Sequence, residues 1–325
     1  MKKFNRLIGT AAAAAALLLS ITACSNSFTP QTPPEQTQND AQSTQVTLET
    51  PLTLKAIEAG AVVTFDNKAA GIVTYKVNGG AAQTIESGKS KDITLAAGDK
   101  VEFWGDNEAY ATSITNFSNI ACDKDCYVYG NIMSLVKNEG FKDVTELKES
   151  YAFCSLFHAN THIKNKDGEP LLLPATTLAY SCYYAMFQGC TSLMAAPSLP
   201  ATTLAEGCYS EMFRGCTSLT AAPSLPATTL AKGCYNYMFS GCTSLTTAPS
   251  LPAAILADFC YGGMFQGCTS LTSVTCLATD ISASAYTFTW LEGVAASGTF
   301  TKADGVTWPS GASGIPSGWT IVDKQ

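Results

Sequence analysis

Leu204-Ala205-Glu206-Gly207-Cys208-Tyr209-Ser210-Glu211-Met212-Phe213-Arg214-Gly215-Cys216-Thr217-Ser218-Leu219 decides the fold, because the chain repeats it. The same frame, Cys-Tyr, two free residues and then Met-Phe-x-Gly-Cys-Thr-Ser-Leu, begins at Cys182, Cys208, Cys234 and Cys260, without gaps and 26 residues apart. A unit this short cannot bury its apolar side alone, so the frame implies stacked rungs, each covering its neighbours. Within one unit apolar residues recur at i, i+4 and i+8 with a second row one residue on. That spacing predicts a short amphipathic helix from Leu204 to Phe213, stopped by Gly215. In Leu219-Thr220-Ala221-Ala222-Pro223-Ser224-Leu225-Pro226 an apolar residue every third position predicts a very short strand, its prolines placed where no backbone donor is needed. Strands from successive rungs would pair in parallel at roughly 4.8 Å.

Met212 to Leu219 followed by Leu225-Pro226 resembles the BspA-type leucine-rich repeat of bacterial surface proteins. The resemblance covers 171–276, with Tyr151 to Ile163 (Phe153, Phe157) as a degenerate first unit, and Ala285 to Asp323 resembles the closing segment that follows such arrays. It implies a surface-exposed adhesion or binding role toward extracellular proteins or glycans, and it carries no catalytic motif. The expected fold is an N-terminal all-β sandwich-like domain followed by an α/β leucine-rich-repeat solenoid, with a helix and a parallel strand in each rung.

Outward from the array, 52–118 reads as the β domain. Ala61–Phe65, Ile72–Val77 and Lys100–Trp104 are β-rich runs, and Asn78-Gly79-Gly80 and Ala97-Gly98-Asp99 supply turns. Residues 119–170 are expected to be a junction and N-terminal cap repeat, 171–276 the leucine-rich repeats and 277–325 a C-terminal cap. The first 23 residues carry Lys2, Lys3 and Arg6 before an apolar run from Ala11 to Leu19, the layout of an export signal. The run is too short to span a bilayer. Ile21-Thr22-Ala23-Cys24 resembles the lipobox of bacterial lipoproteins, which makes Cys24 the lipidation site and a covalent lipid the only non-protein group expected. Residues 24–51, rich in Gln, Thr, Ser and Pro, read as a flexible stalk.

The whole chain has 19 Lys plus Arg against 26 Asp plus Glu. Loss of residues 1–23 removes three cations and no acid, leaving 16 against 26, a net charge of −10. An acidic chain with no basic stripe argues against nucleic acid as a partner. With the resemblances to a lipobox and to bacterial surface proteins, these features imply the cell envelope as the expected location, with an outer-membrane lipoprotein exposed at the cell surface and attached to the membrane through its lipid alone.

Eight of the 13 cysteines form two columns, Cys182, Cys208, Cys234, Cys260 and Cys190, Cys216, Cys242, Cys268. Stacked side chains run parallel rather than converging, which disfavours disulfides and tetrahedral zinc and favours small apolar fillers of a tight interior. Cys122-Asp123-Lys124-Asp125-Cys126 reads as exposed and locally closable, a disulfide candidate with Cys154 or Cys276 as competing partners. Cys154, His158 and His162 would share a helical face, yet no general base accompanies them and the histidines read as surface residues; no metal site is expected. Neither a phosphate loop nor a nucleophile elbow occurs, and the array carries only Glu206, Glu211 and Asp258 as acids, so no catalysis is expected. With Arg214 and Lys232 these are the only charges of the array, so recognition there would rest on hydroxyls and rings. The candidates are Thr220, Thr246, Thr247 and Thr272 on the strand side and Tyr184 and Tyr237 on the helix side. Two other readings remain open: an envelope scaffold, and a carbohydrate-binding β domain using Trp104 or Tyr110.

Overall fold

The computed structural model describes residues 48–282 and 285–324. The export signal, Cys24 and nearly all of the stalk lie outside the described residues. Ten strands form the N-terminal part: β1 (Leu52–Ala56), β2 (Ala61–Asn67), β3 (Val73–Val77), β4 (Gln83–Ile85), β5 (Lys89–Leu95), β6 (Lys100–Gly105), β7 (Ala111–Ser113), β8 (Asn116–Phe117), β9 (Asn119–Cys122) and β10 (Cys126–Asn131). Strands β10-β1-β6-β3-β4 pair antiparallel in one sheet and β5-β2-β9 in a second. The alternation Ala61, Val63, Phe65 inward against Val62, Thr64, Asp66 outward in β2 is the period-two pattern of a half-buried strand. Phe65 of one sheet meets Phe103 of the other at 5.2 Å between ring centroids, which closes the core. Sheet pairing runs on to Asn131, past the expected boundary at 118, because β9 and β10 are needed to complete both sheets.

The array contradicts the expected α/β solenoid: no α-helix occurs anywhere in 171–276. In place of a helix, each rung is a chain of overlapping turns with a left-handed residue every fourth position. Ser181, Ala185 and Gly189 have φ of +49°, +50° and +74°, and Gly207, Glu211 and Gly215 repeat this at +63°, +56° and +72°. The backbone hydrogen bonds explain why this arrangement is closed. Within a rung, Tyr184 N donates to Ser181 O, Met186 N to Tyr183 O and Gln188 N to Ala185 O, and the intervening N–H groups point to the next rung, Tyr183 N to Cys208 O (3.0 Å), Ala185 N to Ser210 O (2.9 Å) and Phe187 N to Met212 O (2.9 Å). Every second residue thus donates within its rung and the others donate across, so no donor along the turns is orphaned. An α-helix would rotate its buried stripe by about 40° every four residues. Cys182-Tyr183, Met186-Phe187 and Cys190 keep a strict period of four and are all fully buried, which the turn chain holds without that drift.

The expected strand of each rung is also corrected. Opposite the turns, successive rungs meet at single parallel bridges, Ala195 with Ala221, Thr203 with Thr229 and Thr247 with Ser273. Pro197 and Pro200, Pro223 and Pro226, and Pro249 and Pro252 remove the donors a longer ladder needs. Where proline is missing, Ser273-Val274-Thr275-Cys276 forms a true strand. Once β11 (Ile163–Asn165) and β12 (Leu171–Leu172) are counted, this is β13, and it pairs in parallel with β14 (Thr299–Ala303), which pairs with β15 (Thr320–Lys324).

Residues 151–160 make the same turns as the array and serve as its first rung. Its outward carbonyls have no preceding rung, and the β domain supplies donors instead: Tyr110 N to Ala152 O, Ile120 N to Leu156 O and Asn119 Nδ2 to His158 O. Strand β10 pairs in parallel with β11 and β12, joining the sheet to the solenoid through continuous hydrogen bonding. Residues 285–293, expected to belong to the cap, form a further rung that accepts from Gly263, Phe265 and Gly267. The chain beyond covers it through Trp290 Nε1 to Gly314 O and Leu291 N to Ala312 O.

Registered rungs stack identical side chains. Phe157, Phe187, Phe213, Phe239 and Phe265 lie 5.5–5.7 Å apart and nearly parallel. A second column runs from Tyr110 of the β domain through Phe153, Tyr183, Tyr209, Tyr235 and Tyr261 to Trp290 and Trp308 of the C-terminal segment. Aromatic contacts of this kind add about 0.5–1.5 kcal/mol per pair beyond area burial. The hydroxyls of Tyr183 and Tyr209 are buried in it and find no protein partner. Phe153 fills the same column, so the ring alone satisfies the packing. Tyr183→Phe and Tyr209→Phe are therefore expected to stabilise the fold by about 1 kcal/mol each, read as a higher midpoint in chemical denaturation; a lower midpoint for both would mean the hydroxyls are satisfied.

Candidate functional site

The turn face carries a groove of about 490 Å³ along the rungs. Outward positions of successive turns build it. Ile114, at the tip of the β7–β8 hairpin, and Tyr180 and Tyr184 of one rung stand at its N-terminal end; Ser210 and Gly207, then Gly233 and Asn236, form the middle; Tyr237, Phe259 and Phe288 stand at its C-terminal end. Four rung steps separate Tyr180 from Phe288, on the order of 20 Å at the spacing of stacked strands.

The structure brings Tyr184 and Tyr237 to this one groove through a shared network. Tyr184 Oη donates to Glu211 Oε1 at 2.8 Å, Gln188 Nε2 and Arg214 Nη1 donate to Glu211 Oε2 at 3.1 and 2.8 Å, and the Arg214 guanidinium lies 5.6 Å from the Tyr237 ring centroid. Burial first, and then the Glu211 carboxylate, push the Tyr184 phenol well above its ordinary value. Across the middle of the groove Glu206 meets Lys232 at 3.5 Å. Four of the five charges of the array are thus paired with one another, while the fifth, Asp258, is exposed beside Phe259.

Sequence reasoning missed Ile114, Tyr180, Phe259 and Phe288, which are 49%, 44%, 43% and 51% exposed. A signal existed for Phe259. Its column holds Tyr151 at +61°, Ser181, Gly207 and Gly233, all at positive φ, and Phe259 sits at +54°. A residue with a side chain costs roughly 1–2 kcal/mol in that conformation, and so exposed a ring recovers little of it through the core. Tyr237, at +52°, is less anomalous, because its ring packs into the space that a side chain at Gly263 would occupy.

The other candidates stand elsewhere. Thr220, Thr246, Thr247 and Thr272 are exposed on the bridged side and do not line the groove, and the Thr220 and Thr272 hydroxyls donate to Met194 O and Thr246 O of the preceding rung at 3.3 Å. Trp104 is half-buried on β6 with Lys76 Nζ 5.2 Å from its ring centroid, apart from the groove. Tyr110 is fully buried and donates to Leu135 O, which removes it as a sugar platform. His162 Nδ1 lies 3.0 Å from Asp125 Oδ1, His158 packs edge-on to Phe117, and Cys154 is buried. Among the described residues no group of three potential ligands could hold a metal ion.

The exposure expected of Cys122 and Cys126 is corrected: both are buried, as free thiols in hydrogen-bond contact with each other, because β9 and β10 turn inward against the first rung. That contact lowers the Cys122 thiol and raises that of Cys126. The column cysteines are free and buried too, and Cys190, Cys216, Cys242 and Cys268 each donate Sγ–H to the Phe carbonyl of the preceding rung at 3.0–3.1 Å. Burial pushes Cys182, Cys216, Cys260, Cys268 and Cys276 up to about 12 from an ordinary 9.0. They are fillers rather than nucleophiles.

Comparison of this chain with protein-family models, with curated proteins and with solved structures finds no match.

Thiols raised by folding ionise first in the unfolded chain, so they leave stability unchanged below about pH 9 and erode it as the pH rises from there toward 12. The expected result is slow alkylation of the native protein at pH 8 with full labelling after denaturation, and a denaturation midpoint that falls between pH 9 and 11. Rapid labelling of the column cysteines in the native state would contradict the packing.

Proposed function

We propose that the protein is a lipid-anchored binding protein displayed at the cell surface, which holds an extracellular macromolecule along the turn-face groove without catalysing a reaction. The observation that carries this reading is the groove itself: exposed aromatic and aliphatic groups at both ends of a rigid stack, where burial in the core does not account for them. Isolated exposed apolar residues need no explanation, but a set gathered in one concavity marks an interaction site. Anchoring is supported by the resemblance of Ile21-Thr22-Ala23-Cys24 to a lipobox, and display by the stalk-like composition of 24–51. Absence of catalysis is supported by the pairing of Glu206, in the groove, with Lys232, and of Glu211, beside it, with Arg214.

Protease treatment of intact cells should digest the solenoid while a periplasmic marker is spared; protection of both would place the protein behind the outer membrane and favour a scaffold role. The chain from Ser25 onward, screened against matrix proteins, mucins and glycans, is expected to bind, and Tyr180→Ser to weaken that binding about tenfold, the 1.4 kcal/mol of a moderate contact. Failure of the wild-type chain to bind any of them would overturn the reading.

A further inference from the structure

We propose that Cys122 and Cys126 are a dithiol which a disulfide donor of the cell envelope oxidises, forming a covalent staple at the joint between the β domain and the first rung. The donor, though not the site, rests on the envelope location proposed above. Spacing alone leaves Cys154 and Cys276 as competing partners, and the structure separates them. Cys154 lies within the first rung with Ser155 Oγ 3.7 Å from its sulfur, and Cys276 lies on β13 at the far end of the array. Among the described cysteines, Cys122 and Cys126 are the pair whose thiols hydrogen-bond to each other. Cys122 closes β9 opposite Val63 of one sheet, and Cys126 opens β10 opposite Ala56 of the other, so a bond between them ties the two sheets across the Asp123-Lys124-Asp125 turn. The same corner fastens the β domain to the rung. Cys126 N donates to His162 O at 2.9 Å, and Asn160 Nδ2 donates to Ile120 O at 3.0 Å and reaches Cys122 Sγ at 3.6 Å. Both strands must keep their places for these contacts to persist, so a bond between their ends holds the joint closed.

Cys122 is the sulfur that attacks. It accepts from the Cys126 thiol and from Asn160, which favours its thiolate, and it keeps 8% exposure where Cys126 has none. Its thiolate attacks one sulfur of the donor disulfide, forming a mixed disulfide and expelling one donor thiolate. Cys126 then gives up its proton and attacks Cys122 Sγ, and the second donor thiolate leaves. Two S–H bonds are lost and one S–S bond forms, while the two electrons and two protons end on the donor as two thiols. The eight column cysteines do not take part, because all are fully buried. Closing even a short loop constrains the unfolded chain, so oxidation stabilises the fold.

The test reduces the chain from Ser25 onward, equilibrates it in the native state with mixtures of oxidised and reduced glutathione, and traps free thiols with a maleimide in denaturant. Mass spectrometry after tryptic cleavage at Lys124 then maps the products. Wild type should lose two of its 12 thiols, the 13 less Cys24, and yield two peptides joined through Cys122 and Cys126. Cys126→Ala should stop at a mixed disulfide of Cys122 with glutathione, and Cys122→Ala should keep all its thiols. Oxidised wild type should have a higher midpoint in chemical denaturation than reduced wild type, and reductant should not move the midpoint of the double variant Cys122→Ala/Cys126→Ala. A pair that stays reduced in fully oxidised glutathione, or a bond from either cysteine to Cys154 or Cys276, would overturn the site and leave the envelope reading intact. Equal midpoints would overturn the staple. Thiol trapping of the full chain in intact cells should find the pair oxidised; a pair that oxidises in glutathione but is reduced in cells would overturn the envelope location and leave the site standing.

Discussion

Everything in this molecule depends on one hydrogen-bonding constraint, the division of backbone donors into alternating sets. One set closes turns inside a rung and the other reaches the carbonyls of the next, as Phe187 N reaches Met212 O. The geometry demands a left-handed residue every fourth position, and it holds all rungs at one spacing. Registered side chains follow: phenylalanines stack on phenylalanines, tyrosines on tyrosines, and the second cysteine column donates to the phenylalanine carbonyls before it. Cysteine suits that column because it is small enough to pack and still offers a weak donor.

A ladder that donates in one direction has unequal ends. The first rung presents carbonyls in need of donors and the last presents donors in need of acceptors. At the N-terminal end the β domain is the cap, giving Tyr110 N and Ile120 N to the first rung and pairing β10 with β11 and β12. At the other end 285–293 accepts the ladder, and a tryptophan pair, Trp290 on Trp308, ends the long aromatic column. The β domain is thus part of the solenoid's stability, which fits the general need of repeat arrays for atypical ends.

The repeat length, the stacking of columns and the buried, unpaired state of the eight column cysteines were legible in the sequence because they depend only on side chains recurring at fixed offsets. The helix was misread because i, i+4, i+8 fits two structures. The discriminating sign is glycine at 207 and 215, eight residues apart within a unit, which a helix has no reason to keep. The strand is not legible in the spacing of apolar residues because two prolines in each rung reduce the ladder to isolated bridges. Of the groove, Tyr184 and Tyr237 were legible as outward positions. Ile114 was not, since only the tertiary docking of the β7–β8 hairpin brings it there, and Phe259 was hidden by the assumption that its segment was helical, where no left-handed column exists.

Far-UV circular dichroism of the folded chain from Ser25 onward tests the central claim most directly. A turn-chain solenoid with a β cap predicts a spectrum without the helical double minimum. A helical double minimum of the strength expected for one short helix in each rung would contradict the alternating ladder, and with it the left-handed columns on which the groove is built.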